Sequence, residues 1–173
     1  SAEVHAHIAS LNFNYASDNV RYFPAAAVSD GMQSVKELVG EMEAGNIQTL
    51  AILGGNPCYD MPSDFNFSKA LSRVETSIHL SLYRDETSKK CSWHIPQSHQ
   101  FEHWSDGATL DGVVSIGQPL IEPLYESFSS IEFLSLLLGR NETSRQIVEG
   151  TQSFNDIDLH EGVVSGTSVS PLP

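Results

Sequence analysis

The chain has 173 residues, enough for one domain with a hydrophobic core, and its 40% apolar and 18% charged residues are typical of a soluble globular protein. Its 22 acidic and 9 basic side chains give a net charge of −13, which would repel nucleic acids and anionic membranes, so we exclude both as partners. Two cysteines are too few for this chain alone to hold an iron–sulfur cluster or a cysteine-based zinc ion.

The two cysteines, Cys58 and Cys91, lie far apart in the sequence, and we expect free buried thiols, with a disulfide between them left open. No membrane span is predicted, because the richest apolar run, residues 131–138, is short and contains Glu132. The chain starts at Ser1 without a methionine or a signal peptide, so we expect it to be a fragment of a larger protein.

The first predicted element is an amphipathic helix, followed by a short strand at residues 20–23 and an irregular linker rich in alanine. The helix is predicted from four apolar residues at three- and four-residue spacing: Val4, Ile8, Leu11 and Tyr15. Ser34 and Glu37 have the spacing of a capping box, which predicts that a second helix begins there and ends near Gly45. Its apolar face consists of Val35, Leu38, Val39 and Met42.

An apolar segment, residues 47–53, comes next and stops at two glycines, which predicts a buried central strand of an α/β sheet. Residues 54–57, which we call the glycine loop, follow this strand. Its two glycines would let a ligand approach the backbone, and Pro57 favours an extended Asn56 whose amide is free to bind. Ligands of open α/β sheets bind beyond the carboxyl ends of the strands, so the glycine loop is a candidate ligand-binding site. The alternative is a Gly-Gly turn with no role in binding.

The glycine loop is not a standard phosphate loop, and the sequence predicts no helix before Ser63. A helix capped by Ser63 or Asp64 would carry the apolar residues Phe67, Ala70, Leu71 and Val74. A strand over residues 76–82 follows, in which Ile78, Leu80 and Leu82 alternate with His79 and Ser81. Two strands joined through a helix form a βαβ unit, so we expect them to be parallel.

The second half of the chain is less regular. We expect a single helical turn capped at residues 85–87, a strand at 91–95 and a long, partly ordered loop at 97–123 in which only 113–116 forms a strand. A helix capped by Ser129 or Ser130 follows and is apolar on most sides, so we expect other elements to cover both of its faces. From Gly150 onwards apolar residues are too few for a core, which predicts a segment that wraps the surface or an interface.

One motif suggests metal chemistry. His99, Glu102 and His103 match the His-x-x-Glu-His pattern of inverzincin proteases, in which two histidines bind zinc and the glutamate is the base. That chemistry needs a helix to place both histidines on one face, but Asp106 and Gly107 would end such a helix at once. We therefore favour a polar surface turn and expect no stoichiometric metal, with a zinc-dependent hydrolase as the least favoured alternative.

Four segments taken together resemble one family, the molybdopterin oxidoreductases of the dimethyl-sulfoxide-reductase type. The resemblance is to the third, α/β domain of these proteins and is strongest to the fused molybdopterin-like and iron–sulfur subunit of alternative complex III and related quinone-linked complexes. It extends from about Val4 to Thr167. The segments are Leu-Ala-Ile-Leu-Gly-Gly-Asn-Pro-Cys-Tyr-Asp-Met-Pro (50–62), His-Leu-Ser-Leu-Tyr-Arg-Asp-Glu-Thr-Ser (79–88), Cys-Ser-Trp-His-Ile-Pro with Phe-Glu-His-Trp-Ser-Asp (91–106) and Leu-His-Glu-Gly-Val-Val-Ser-Gly-Thr (159–167).

The resemblance also implies a fold and a site. We expect an α/β fold, a Rossmann-like three-layer domain with a parallel sheet over residues 4–149, and an extended C-terminal segment at 150–173. In family members that carry the cofactor, this domain contributes to the guanosine end of a molybdopterin guanine dinucleotide. The matching nucleotide-contact positions here are Gly54, Gly55, Asn56 and Pro57.

A second position departs from the family. Catalytic relatives commonly have an aspartate after the next strand, where this chain has Ser81, and His103 falls near a position where some relatives have lysine. A hydroxyl cannot offer a guanine edge the two acceptors of a carboxylate. The resemblance therefore implies vestigial cofactor positions, with no cofactor in this chain.

The function implied is that of a non-catalytic scaffold domain in an iron–sulfur electron-transfer subunit, whose clusters lie elsewhere in an oxidoreductase parent. Expected partners are the other domains of the parent and the other subunits of a membrane-associated respiratory complex, in the periplasm. The alternative is a working molybdopterin guanine dinucleotide-binding domain of a catalytic molybdoenzyme.

Overall fold

The computed structural model describes residues 1–16, 22–23 and 34–170. The predicted alanine-rich linker and the first half of the strand predicted at 20–23 lie outside the described residues. The elements in chain order are α1 (Ala2–Asn14), α2 (Val35–Ala44), β1 (Thr49–Leu53), α3 (Pro57–Asp60), a 3-10 turn (Ser63–Phe65), α4 (Phe67–Leu71), β2 (Thr76–Ser81), β3 (Trp93–Pro96), β4 (Ser105–Ala108), β5 (Val114–Gly117), α5 (Ser130–Leu137), α6 (Ser144–Thr151) and α7 (Asp156–Glu161).

The main sheet has three parallel strands in the order β1-β2-β3. Thr49 pairs with Thr76 at one end of the β1–β2 ladder and Leu53 with Leu80 at the other, so the two strands end side by side. This confirms the predicted α/β fold with a parallel βαβ unit. The prediction of a buried central strand at residues 47–53 is wrong in detail, because among the described residues β1 is an edge strand and every second side chain on it is exposed.

The first core lies between β1 and the helices α2 and α4. Its buried residues are Val39, Met42, Phe67, Ala70, Leu71 and Val74, and Leu50 and Ile52 of β1 pack against them. The predicted capping box at the start of α2 is confirmed: the Ser34 side chain accepts from the Glu37 N–H, and the Glu37 carboxylate accepts from the Ser34 N–H. Gly45 ends the helix at φ +78°, a conformation that glycine adopts without strain.

The second half of the chain forms a hairpin and three helices. The strand predicted at 113–116 is confirmed as β5, but its antiparallel partner β4 was missed within the expected loop, because Ser-Asp-Gly-Ala has little strand propensity. A second core joins Ile116 and Val148 to Val164, with Phe154 and Leu159 packed against it. Residues beyond 150 thus contribute to a core, contrary to expectation, although a domain boundary near residue 149 stays a prediction.

Two predicted helices leave many of their apolar side chains exposed to solvent. Helix α1 forms as predicted, yet none of its side chains is buried. Helix α5 is capped by Ser129, one of the two predicted caps, but it is not covered on both faces, since Leu134, Leu136 and Leu137 of the helix and Leu138 after it are 44–73% exposed. None of the helices within the described ranges has both the length and the apolar character needed to cross a bilayer.

Candidate functional site

The glycine loop turns away from the sheet where β1 and β2 end. The Gly54 N–H donates to the Leu80 carbonyl at 2.8 Å, and both glycines have positive φ, +70° and +68°, which a side chain would strain. Helix α3, which was not predicted, begins at Pro57, and the helix predicted from Ser63 is observed as a 3-10 turn followed by α4. Proline is well suited to a first helical position, because its φ is fixed near the helical value and the missing N–H would have no helical partner.

Asn56 does not keep the free amide that was predicted for it. Its Nδ2 donates to the Glu86 carboxylate at 2.7 Å, and its Oδ1 accepts from the Thr87 hydroxyl at 2.7 Å and the Thr87 N–H at 3.2 Å. An amide side chain can make four hydrogen bonds, and these three leave one donor. The loop is therefore fastened to residues 85–90, which we call the acidic turn.

The acidic turn places a negative charge beside the glycine loop. The hydrogen bond from Asn56 is the main cause that holds the pKa of Glu86 below its usual value of 4.5, so this carboxylate is ionised at neutral pH. No lysine or arginine occurs between Gly54 and Pro62. Lys89 of the same turn acts electrostatically on Glu86 and offsets part of its charge, so the negative charge beside Asn56 is local to the Glu86 carboxylate.

Below the loop, His79 is fully buried on β2 and bonded through both ring nitrogens. Its Nε2 lies 3.0 Å from the Gly55 carbonyl, and its Nδ1 lies 2.8 Å from the Ser88 hydroxyl. A carbonyl only accepts, so Nε2 carries a proton and donates to Gly55. His79 therefore connects the glycine loop to the acidic turn through the interior of the sheet.

Ser81, the second predicted cofactor position, is also buried. Its hydroxyl donates to the Tyr83 carbonyl at 2.8 Å and lies 3.2 Å from both the Ser88 hydroxyl and His94 Nε2. The hydroxyl is thus directed into the protein rather than towards the space above the loop. The structure brings Ser81 near the same network as the loop, as an internal contact.

Ser88, His79 and Asp85 have the residue types of a hydrolytic triad but not its geometry. Asp85 Oδ1 lies 3.5 Å from the same Nδ1 that faces Ser88, and the other ring nitrogen is bonded to a carbonyl. A triad needs the base and the orienting acid on opposite nitrogens, with an accessible hydroxyl. Ser88 is 4% exposed, so this arrangement supports the loop and cannot attack a substrate.

Asp85 itself is held ionised. Burial raises the pKa of this carboxyl, but hydrogen bonds from the Ser88 N–H and hydroxyl, together with the nearby His79 ring, outweigh burial and leave the pKa below its usual value of 3.8. The Ser88 N–H donates to Asp85 Oδ1 at 2.8 Å, and the Lys89 N–H donates to the Asp85 carbonyl. Asp85 thus holds a hydrogen-bonded turn at the place where a single helical turn was predicted.

The His-x-x-Glu-His motif forms a turn rather than a helix. The Glu102 carboxylate accepts from the His99 N–H at 2.7 Å and from the Leu124 N–H at 3.2 Å, while His103 Nδ1 lies 3.0 Å from the Ser98 hydroxyl. The prediction of a polar turn is confirmed, and the helical geometry on which an inverzincin depends is missing from these residues. Among the described residues, no group of three metal-binding side chains comes together.

A small cavity of about 90 Å³ is lined by His103, Trp104, Ser105, Asp106, Ser129, Ser130 and Ile131. It includes no residue of the glycine loop. Small-molecule sites usually have volumes of about 300–1,000 Å³, so this cavity suits a few water molecules rather than a nucleotide.

The sequence analysis missed most of the groups that hydrogen-bond to the glycine loop, which lie on β2 and in the acidic turn. The alternation in β2 led to the expectation that His79 and Ser81 face away from the apolar side, whereas both are buried together with Leu80. A signal was present in the sequence, because Ser77, His79 and Ser81 alternate with the apolar Ile78 and Leu80 along β2. A strand buried on both faces needs hydrogen-bond partners for such residues.

The comparison with known proteins supports one distant relationship. No family model matches the chain. The chain is 25% identical over 129 residues to the menaquinone reductase, molybdopterin-binding-like subunit of Nitratidesulfovibrio vulgaris, a match that covers 72% of this chain. The chain spans only 18% of the length of that curated relative. In sequence, therefore, the chain is similar to a molybdopterin-oxidoreductase-like protein, and its α/β fold is consistent with that likeness.

Proposed function

We propose that the chain is a molybdopterin-oxidoreductase-like domain that acts as a non-catalytic, cofactor-free scaffold in an iron–sulfur electron-transfer subunit of a membrane-associated respiratory complex. The observation that carries this proposal is the state of Asn56. The residue at the nucleotide-contact position has three of its four hydrogen-bonding positions filled by Glu86 and Thr87. A nucleotide would have to displace these bonds before it could use the amide.

Charge adds to the same argument. A guanosine diphosphate group carries at least two negative charges, and the Glu86 carboxylate bonded to Asn56 would repel it, with part of that repulsion offset by Lys89 of the same turn. At the second position, the Ser81 hydroxyl is 5% exposed and bonded internally, so it is not available to a guanine edge. The residues present therefore do not fit the guanosine end of the cofactor, and no chemical step is assigned to that group.

The partner part of the proposal rests on the relative. That protein is named as the molybdopterin-binding-like subunit of a menaquinone reductase. The scaffold would then hold neighbouring domains and subunits together in a quinone-linked complex, with the iron–sulfur clusters in other parts of the parent protein. A periplasmic location is part of this proposal.

A calorimetric titration of the chain with GDP and with molybdopterin guanine dinucleotide tests the proposal. We expect no saturable heat for the chain or for Asn56→Ala, because the native amide is already bonded. Asn141→Ala, at an exposed position, is the matched control. Micromolar binding that is lost in Asn56→Ala and kept in Asn141→Ala would contradict the scaffold and support the molybdoenzyme alternative.

Steric space does not exclude that alternative. A Cβ added at Gly55 would meet no atom within 4 Å, so the glycine loop is open to solvent there, as are most other glycines of the described residues. Elemental analysis of the purified parent protein decides between the two functions. The scaffold proposal predicts iron without molybdenum in the parent protein, whereas one molybdenum per parent chain would establish the molybdoenzyme. Stoichiometric zinc in the isolated chain would instead support a zinc site at His99 and His103.

A further inference from the structure

The two cysteines lie on either side of a single residue, Thr87. The Cys58 N–H donates to the Thr87 hydroxyl at 3.0 Å, and the Cys91 N–H donates to the Thr87 carbonyl at 3.0 Å. Both acceptor atoms belong to one residue, so the first turn of α3 and the end of the acidic turn are brought together there. The two positions were far apart in the sequence, and only the fold makes them neighbours.

The cysteine side chains also share one environment. Both are free thiols, both are half-buried, and both pack against the first core, next to α4. Burial is the main cause that raises the pKa of the Cys91 thiol, a hydrogen bond with Ser77 opposes it, and the neighbouring Cys58 raises it further. They are the only cysteines of the chain, so neither has a competing partner within it.

We propose that Cys58 and Cys91 are a disulfide-forming pair that closes when the folded protein meets a disulfide-bearing oxidant. The Cys58 thiolate attacks the oxidant, forms a mixed disulfide and releases one oxidant thiol. The Cys91 thiolate then attacks the Cys58 sulfur, forms the intramolecular bond and releases the second thiol. One oxidant disulfide is reduced to two thiols, which take up the two protons that the cysteines lose.

The order of attack follows from the surroundings. A raised pKa lowers the thiolate fraction of Cys91, which makes it the slower first nucleophile. In the second step the mixed disulfide is held beside it, and proximity compensates for the small thiolate fraction. The proposal is independent of cofactor binding and so goes beyond the scaffold function.

The bond would fix the glycine loop covalently. Cys58 comes two residues after Asn56, and Cys91 ends the acidic turn that Asn56 binds. The oxidised form would therefore join α3 to the acidic turn and reinforce the hydrogen bonds between Asn56 and Thr87. The glycine loop could not open in that form, whereas in the reduced form only hydrogen bonds hold it.

The test is a redox titration of the folded chain in glutathione buffers, followed by alkylation and mass spectrometry. We expect both thiols to become inaccessible together, a mass lower by two hydrogen atoms, and a linked peptide that contains Cys58 and Cys91. A disulfide needs Cα atoms about 4.4–6.8 Å apart. If the folded chain yields only glutathione adducts, or the bond forms only in denaturant, the pair is too far apart and the proposal is wrong.

Single variants separate the pair from general thiol chemistry. Cys58→Ser and Cys91→Ser should each retain a glutathione adduct, because the second thiol that would release it is absent. In the wild-type chain, oxidation should raise the melting temperature by about 5–15 °C, since the bond closes a long loop that contains α4 and β2. A melting temperature that falls on oxidation would show that the bond distorts the fold and would overturn the proposal.

Discussion

Replacing Glu132 with alanine is expected to lower the free energy of unfolding by about 2–4 kcal/mol, because one carboxylate caps two helices. Its Oε2 accepts from the N–H and hydroxyl of Ser129, at the start of α5, at 2.9 and 2.7 Å. Its Oε1 accepts from the Ser144 N–H, at the start of α6, at 2.7 Å. Truncation would leave the N-termini of α5 and α6 without this acceptor. The N–H of Ser144, a buried residue, would lose its hydrogen bond to Glu132.

The same residue predicts a pH dependence. Burial raises the pKa of Glu132, but the hydrogen bonds from Ser129 and Ser144 outweigh burial and leave the pKa below its usual value of 4.5. A carboxyl group whose folded pKa is depressed stabilises the protein fully above its unfolded pKa. This contribution is lost as the pH falls from about 4.5 through the folded value. Glu132→Gln should therefore be less stable than wild type at pH 7 and differ less from it in acid.

Urea unfolding followed by circular dichroism measures both effects. Glu122→Ala is the control, since Glu122 is an exposed glutamate ahead of the same helix. If Glu132→Ala and Glu122→Ala lose the same stability at pH 7, the double cap contributes little and the explanation is wrong. A difference between wild type and Glu132→Gln that stays constant from pH 7 to pH 3 would contradict the pH argument.

The elements that the sequence predicted well depend on neighbouring residues. The predicted capping box joins Ser34 and Glu37, three residues apart, and the predicted cap Ser129 directly precedes α5, so both follow from local spacing alone. The parallel pairing of β1 and β2 follows from the helix between them. These features need no knowledge of what packs from elsewhere in the chain.

The errors concern contacts between distant segments. Asn56 and Thr87 are thirty-one positions apart, and nothing around Asn56 indicates that Glu86 and Thr87 will bind its amide. The exposure of α5 has the same origin, since an apolar helix indicates burial but the described residues provide no element to cover Leu136 or Leu137. The candidate loop was therefore located from the sequence, but the bonds that occupy it were not.

The second large effect is expected at His79, where replacement with alanine should lower the free energy of unfolding by about 3–5 kcal/mol. The ring is fully buried and bonded to Gly55 and Ser88, so its removal leaves a cavity and deprives the Gly55 carbonyl of its donor and the Ser88 hydroxyl of one of its partners. His79→Gln keeps a donor that can reach the Gly55 carbonyl and should retain part of the lost stability. His160→Ala, at an exposed position on α7, is the control and should change stability by about 0.5 kcal/mol or less.

A double-mutant cycle shows whether His79 acts on the glycine loop or only on the core. His79 and Asn56 reach the acidic turn from different sides, through Ser88 and Thr87, so they hold the same two segments together. Removal of one should change the effect of the other by more than about 0.5 kcal/mol, and amide exchange at Gly55 should accelerate in both single variants. Additive effects with unchanged exchange at Gly55 would mean that His79 fills space in the sheet and that Asn56 alone fastens the loop.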